Sequence, residues 1–501
     1  MIKFSEATKK GGRVRYAVGA AFALATMAFL QTGMGKASFF AEPDRAMSNL
    51  GFSWRKNNVE TSAPPVLYVR IGDRMLSEYW RASKGIDLFP GRAANSSKSA
   101  LGKVSLVTPR AVLADLLATT HRANTARAVV LDVDLAWVSD DPAGEARLAE
   151  ELRSWSGDPK APLLVLAREV APISAQDDET NPSGLRQLPP TAFDDIVQPS
   201  PNIVYSIVSQ NVDPSGMARE YDQVACAIAP DGRRAIPSAV WAVEAAALAD
   251  TGAMAKKQLA ARTAQVTAAC RSGGPIPVAE EISYHLDVGP SADGSGGGAT
   301  RLSAAPVTKG WRDYKSCGAP PSAAWVPAEE FQRAAHGSAL KDFLCGQIVF
   351  IGGNNVLQAD TYRSPYGPMD GALVLANAAR GRLITGDVSS AEYHYARLGV
   401  QILLILITVN LIRHAFMAIG KIRSHLHRIE IENLGIKSFF VGCGRLIVHP
   451  VTINWAAPLV IFFLGAIVTA LALQFNLIFI SMPAFAAASS ETIFEFESDL
   501  A

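Results

Sequence analysis

The sequence predicts an α/β domain built on a largely parallel sheet, together with apolar segments long enough to cross a membrane, one near the N-terminus and about three near the C-terminus. Three observations carry this. Between residues 66 and 170, stretches rich in β-branched residues alternate with stretches whose apolar residues recur at helical spacing. A wholly apolar run, Ile348, Val349, Phe350 and Ile351, stops at Gly352 and Gly353, the pattern of a strand covered on both faces. Residues 16–35, 398–412 and 446–490 carry almost no ionisable groups.

The elements follow in chain order. VLYVRI (66–71) reads as a strand, RAVLADLLATTHRA (110–123) as a helix, ARAVVLDVDLA (126–136) as a strand, EARLAEELRSW (145–155) as a helix and APLLVLAREV (161–170) as a strand. This β-α-β-α-β rhythm implies parallel pairing through right-handed crossovers. The polar stretch 174–200 reads as a long loop, NIVYSIVS (202–209) as a further strand and SAVWAVEAAALAD (238–250) as a further helix. GPSADGSGGGATR (289–301) has the composition of a flexible surface loop.

The apolar segments fix a topology. Residues 1–15 contain Lys9, Lys10, Arg13 and Arg15 ahead of the uncharged span 16–35, so the N-terminus is cytoplasmic by the positive-inside rule. A cleaved signal peptide shares the basic flank, but this run is longer than a signal core and no clear small-x-small site follows it. Residues 36–395 then form the exterior domain, and 396–414 cross back. The connector 415–452 holds Lys421, Arg423, Arg428, Lys437 and Arg445 against Glu430 and Glu432, which places it in the cytoplasm. Two closing spans, 453–474 and 475–490, leave a short cytoplasmic tail at 491–501; the last span is interrupted by Pro483.

Cysteine placement agrees with an oxidising exterior: Cys226, Cys270, Cys317 and Cys345 fall in the exterior domain and only Cys443 in the connector. Pairing sequence neighbours gives Cys226 with Cys270 and Cys317 with Cys345, with free buried thiols as the other reading. A formal net charge of +1 argues against a nucleic-acid partner.

Motifs for catalysis are weak. The turn after Ile351 lacks the Gly-Lys-Ser/Thr of a P-loop and the three glycines of a dinucleotide fingerprint. Ser338 and Lys341 have Ser-x-x-Lys spacing without the companion motifs that such chemistry uses, and His425 and His427 lie in the basic connector, where a solvated face explains them. Neither His-Glu-x-x-His nor Gly-x-Ser-x-Gly occurs. The expectation is therefore no enzyme activity, no cofactor and no metal.

Ligand-binding candidates remain. Asp132 and Asp134 alternate with Val133, so a strand would project both from one face near its carboxyl end, where α/β sites form; the alternative is that they cap a turn or pair with Arg127 or Arg147. Asp360, in the loop that opens with Gly352, Gly353, Asn354 and Asn355, either binds a ligand with Asn354 or accepts backbone N–H bonds and pins the loop. Asp231, ahead of Gly232, Arg233 and Arg234, carries the same ambiguity.

The order of these features resembles the CHASE2 family, extracytoplasmic sensory domains of bacterial membrane receptors. VTPR (107–110) is similar to the family's approach to its helix, VVLDVDLA (129–136) to its strand ending in aspartate, and APDGRRAIP (229–237) to its Asp-Gly-x-x-Arg-x-x-Pro turn. The strand ending Ile351-Gly352, Asp360 beyond it, and the Pro and Gly that lead into ALVLANAARGRLITG (372–386) make the best match. The resemblance covers residues 64–388 and the flanking spans. In VLYVRIGDRML the residues Gly72 and Asp73 stand in another register from the family's acidic residue before serine, and residues 491–501 leave no room for the output domain that usually follows.

The resemblance implies a multi-pass protein of the bacterial inner membrane that senses a small extracytoplasmic ligand and signals to a separate membrane or cytoplasmic effector. Lys421, Arg423 and Arg428 in the connector are the expected contact, unless that loop simply rests on anionic lipid. A structural subunit docking another envelope protein is the alternative function, and an exterior hydrolase a more remote one.

Overall fold

The computed structural model describes residues 65–85, 108–172 except 138 and 140, 186–272 except 213–215, 230 and 231, the short pieces 279–282, 284, 301 and 302, and 323–385 except 335–338, 354–359, 365 and 366. All lie in one compact unit, 59–389. The expected spans and connector, with Lys421, Arg423 and Arg428, fall outside them, as do Asp231, Asn354 and Cys317. Among the described residues no helix is long and apolar enough to cross a membrane.

The strands of the main sheet are β1 (Val66–Ile71), β2 (Ala128–Asp132), β3 (Leu163–Ala167), β6 (Ile203–Ser206), β12 (Arg301–Leu302), β13 (Ala323–Pro327) and β14 (Ile348–Gly353). They form a seven-stranded sheet in the order β12-β13-β1-β14-β2-β3-β6, parallel throughout except for β12, which runs antiparallel to β13. The double-glycine strand β14 is therefore central, between β1 and β2. Its side chains from Ile348 to Ile351 are buried, as its lack of polar residues requires.

Helices cover both faces. On one lie α1 (Asp73–Lys84), α2 (Arg110–Ala123), α3 (Pro142–Gly157), α4 (Asp194–Val197), α7 (Ala328–Ala334) and α8 (Ala339–Leu344). Trp80 of α1, Leu113 and Leu117 of α2, Leu148 and Leu152 of α3 and Phe331 of α7 share one core with Val69, Leu131, Leu166 and Ile351 of the sheet. On the other face α5 (Ala239–Leu248) packs against β2, β3 and α9 (Gly371–Thr385), which packs against β1 and β14. α5 is buried nearly all round, which its sequence AVWAVEAAAL permits, and it starts where Ser238 Oγ accepts the Trp241 N–H at 3.2 Å. Asp141 caps α3 in the same way at Gly144, with Pro142 in the first turn.

Several elements depart from the sequence expectation. The expected strand 126–136 stops at Asp132, because Asp134 Oδ1 accepts the Ala136 N–H at 3.0 Å and closes a turn; Asp134 therefore does not share a strand face with Asp132. The expected loop 174–200 contains β5 (Arg186–Gln187) and α4, which exist because Phe193, Ile196 and Val197 bury themselves and because the buried Arg168 pairs with Asp194 at 3.0 Å. Unforeseen strands build smaller sheets. β4 (Ala171–Pro172), β5, β9 (Val224–Ala229) and β10 (Gly232–Pro237) form one, and β7 (Gln210–Val212), β8 (Ala218–Tyr221) and β11 (Glu280–Glu281) another. The expected turn 229–237 is thus the β9–β10 hairpin.

Cys226 on β9 is bonded to Cys270 on α6 (Gly252–Ser272), with Cα atoms 5.7 Å apart, so the expected first pair forms and ties the hairpin to that helix. Cys345 is disulfide-bonded as well.

A carboxylate crevice at the end of the parallel sheet

At the last rung of the sheet, Arg70 of β1, Gly352 of β14 and Asp132 of β2 are lateral neighbours. Val69, Ile71, Leu131 and Ile351 belong to the core under α2 and α3. Alternation therefore turns Arg70, Gly352, Asp132 and, two residues earlier on β1, Tyr68 toward α9. β1 leads into α1 on one face, whereas β14 beside it leads into the arm before α9 on the other, so the connections diverge above this rung. A crevice at the carboxyl end of parallel strands whose connections part is where α/β folds bind ligands.

Glycine makes the close approach. A Cβ on Gly352 would lie 2.5 Å from Ala372 Cβ and 3.4 Å from Asp132 Cβ, so only a bare backbone lets α9 sit down on the sheet beside Asp132. Between β14 and α9 the chain forms an antiparallel arm, β15 (Thr361–Ser364) and β16 (Gly367–Asp370). The arm brings in Asp360, Tyr362 and Asp370. Asp370 ends β16 directly before α9; it accepts the Tyr68 hydroxyl at 2.9 Å and pairs with Arg70 Nε at 3.0 Å. The Gly371 N–H donates to the Asp360 carbonyl oxygen at 2.9 Å, and Gln210 Nε2 donates to the Gly371 carbonyl oxygen at 3.0 Å.

The electrostatics are unbalanced. Arg70 offsets Asp370, and no hydrogen bond to the Asp132 side chain is found among the described residues. Burial, reinforced by the nearby Asp360 carboxylate, pushes the Asp132 carboxyl up to about 7. Asp360 is also raised, by burial first and by Asp370, although the Tyr362 hydroxyl bonded to it pulls the other way. Burial and Asp370 hold the Tyr68 phenol well above its ordinary value, and burial and Asp360 push Tyr362 up to about 12, so both phenols stay protonated.

The structure thus brings Asp132 and Asp360 together and sends Asp134 elsewhere. The Asp134 main-chain oxygen accepts from both terminal nitrogens of the buried Arg110, at 3.3 and 3.4 Å, and Arg110 also donates to the Trp137 oxygen at 2.7 Å. Arg110, from the VTPR stretch, therefore shapes the loop beside the crevice. Arg147 pairs with Asp115, and Arg127 donates to the Ala249 oxygen at 3.0 Å. The main-chain oxygen of Asp360, and not the carboxylate as expected, accepts the N–H that starts α9, while the carboxylate lines the crevice. Tyr68, Arg70, Tyr362 and Asp370 were not singled out from the sequence. The signal for the first two is their alternation within VLYVRI, and for Asp370 its place directly before a helix. Among the described residues no three His, Cys, Asp or Glu side chains are grouped as a metal ion would need.

The far end of α9 is held by a buried ion network. Arg382 donates to both carboxylate oxygens of Glu280, at 3.1 and 3.0 Å, and approaches Glu244 of α5 at 3.3 Å. Tyr221 donates to Glu280 at 2.6 Å, and Arg262 donates to Glu244 at 2.6 Å while stacking 3.7 Å above the Trp241 ring. α9 is therefore clamped near both ends by charge.

The model of the CHASE2 domain matches residues 21–412. No curated protein and no solved structure matches the chain.

Proposed function

Because this chain belongs to the CHASE2 family of extracytoplasmic sensory domains, we propose that it is the sensing part of a membrane-anchored receptor, which binds a small extracytoplasmic ligand in the carboxylate crevice and signals to a separate effector. The observation that carries this reading is the convergence of Tyr68, Arg70, Asp132, Asp360 and Tyr362 where the sheet connections part, with the first turn of α9 as one wall. A ligand there shifts α9 only by binding two of its arrangements with different affinity. α9 ends at Thr385, and the uncharged stretch 398–412 follows it in the chain, so this helix is the covalent route toward the expected span and the basic connector. The role requires no catalysis.

The test is thermal unfolding of the full chain in mild detergent against a panel of small amines, amino acids and carboxylates. At least one compound raises the midpoint of the wild type and fails to raise that of Asp360→Asn. Lys421→Gln, Arg423→Gln and Arg428→Gln together, in a normally inserted chain, release a copurifying effector; an unchanged partner set removes the connector from the account.

A second reading, a docking subunit for another envelope protein, is favoured by the exposed Leu248 (62%) and Met254 (45%) at the junction of α5 and α6. It predicts a partner copurifying at fixed stoichiometry that Leu248→Ser releases.

A further inference from the structure

The seat of α9 has an unusual electrical design. Asp360 lies so close over Gly371 that a Cβ there would be 2.6 Å from its Cγ and 2.7 Å from its Oδ1, so its carboxyl rests on the first residue of the helix. A helix N-terminus ordinarily favours a carboxylate. Here Asp132 stands on the adjoining rung, and a second charge at that spot meets Asp360 across a partly buried space. We propose that the Asp132–Asp360 pair is a proton-operated latch, closed on the sheet when the pair holds a proton and loosened when both carboxyls are charged. This rests on reading the crevice as the responsive end of the sensory domain, and it names the proton as one stimulus that the site reads.

The neighbours decide which way the latch works. On β1 they are Tyr68, a neutral phenol, and Arg70, whose nearest carboxylate is Asp370 at 3.0 Å. On β14 the facing residue is Gly352. On β15 Tyr362 is neutral and bonded to Asp360; on β16 Asp370 adds negative charge. The first turn of α9 has no acidic residue, and Gln210 of β7, which reaches Gly371, is uncharged. In the loop after β2, Asp134 is turned toward the Ala136 N–H. No cation in this set is committed to Asp132 or Asp360.

The sign follows. Both carboxyls are raised, Asp132 to about 7 by burial and the Asp360 charge, and Asp360 by burial and the Asp370 charge against the Tyr362 hydroxyl, so neither is held as a charged carboxylate at its ordinary value. A raised carboxyl favours the folded, docked arrangement most below the ordinary carboxylate range, and that contribution is lost as pH rises through about 7. The latch is therefore closed in acid and loosened from neutral pH upward. Arg382 and Glu280 hold the other end of α9, so the loosening is largest in the first turns and weaker toward Thr385.

Hydrogen exchange of the full chain in lipid nanodiscs, corrected for the intrinsic pH dependence of exchange, tests this. In the wild type, amides of the first two turns of α9 exchange roughly tenfold more slowly at about pH 5.5 than at about pH 8 relative to intrinsic rates. Asp132→Asn and Asp360→Asn each keep them slow at both values, whereas His121→Gln leaves the wild-type difference in place. Unchanged protection of α3 and of β3 in each variant shows that the fold is retained. Equal protection at the two pH values in the wild type overturns the latch, and so does a pH difference that survives in both asparagine variants. If α9 ignores pH while a panel compound still shifts the unfolding midpoint, the latch is wrong and the sensory reading stands.

Discussion

Asp360 and Gly371 interlock: the carboxyl of the first covers the Cα of the second, and the Gly371 N–H donates to the Asp360 carbonyl oxygen at 2.9 Å. The start of α9 is thus fixed by a residue eleven positions earlier, and the site for a methyl group is already filled. Gly371→Ala is expected to destabilise the chain by about 1–3 kcal/mol, because the Asp360 backbone is tied to the same helix start and leaves the carboxyl little room to retreat. Denaturant unfolding that shows no change in midpoint for this variant would contradict the interlock.

Asp132 and His121 give opposite responses to substitution. Above pH 7 the partly buried Asp132 charge is a liability, since its stabilising contribution is complete only below the ordinary carboxylate range and is gone once pH exceeds about 7. Asp132→Asn should therefore raise the unfolding midpoint at about pH 8 and do little at about pH 4. His121 is raised chiefly by its bond to Glu151, 2.9 Å away, with Asp158 on its other ring nitrogen and burial opposing. A raised histidine stabilises below its ordinary value and loses that contribution as pH climbs through the raised one. Glu151→Gln should then cost most in mild acid and least in alkali. Melting curves across pH that move both variants in the same direction would defeat this assignment.

Glu280 is 7% exposed and its partner Arg382 only 1%. Removing one member of a buried pair strands the other, at a cost of about 3–5 kcal/mol, whereas exchanging both for apolar groups is often close to neutral. Glu280→Gln should destabilise strongly, and the double change Glu280→Leu with Arg382→Met should recover much of the loss. A double variant as unstable as the sum of the singles would show that packing, and not stranded charge, dominates there.

The Cys226–Cys270 bond closes a loop of 44 residues, which in the chain-entropy model restricts the unfolded state by about 4 kcal/mol. Replacing both by alanine should lower stability in that direction and expose α6 to exchange first. Non-reducing peptide mapping should find Cys345 bridged too; an alkylatable Cys345 would contradict the structure.

The parallel sheet was legible because its strands are buried on both faces and so read as apolar runs; β1, α2 and the existence of β14 follow from VLYVRI, RAVLADLLATTHRA and IVFI almost to the residue. The smaller sheets were not, since β7 and β8 are short, partly exposed and carry Gln210, Asn211 and Glu220, which give no period-two signal. Asp132 and Asp360 could be picked out because each follows a recognisable strand. That they meet could not, for it depends on β14 inserting between β1 and β2, a pairing between residues more than 200 positions apart. Asp134 takes the other expected role, closing a turn with its own carboxylate, because the strand ends at Asp132 and its alternation does not reach two residues further.

The central claim is that the crevice senses and α9 responds. Hydrogen exchange of the full chain with and without a compound that raises its unfolding midpoint tests this most directly. The account predicts changed protection at the carboxyl ends of β1 and β2 and along 371–385, with α3 unaffected. Protection confined to the surface around Leu248 and Met254, with α9 unchanged, would contradict it.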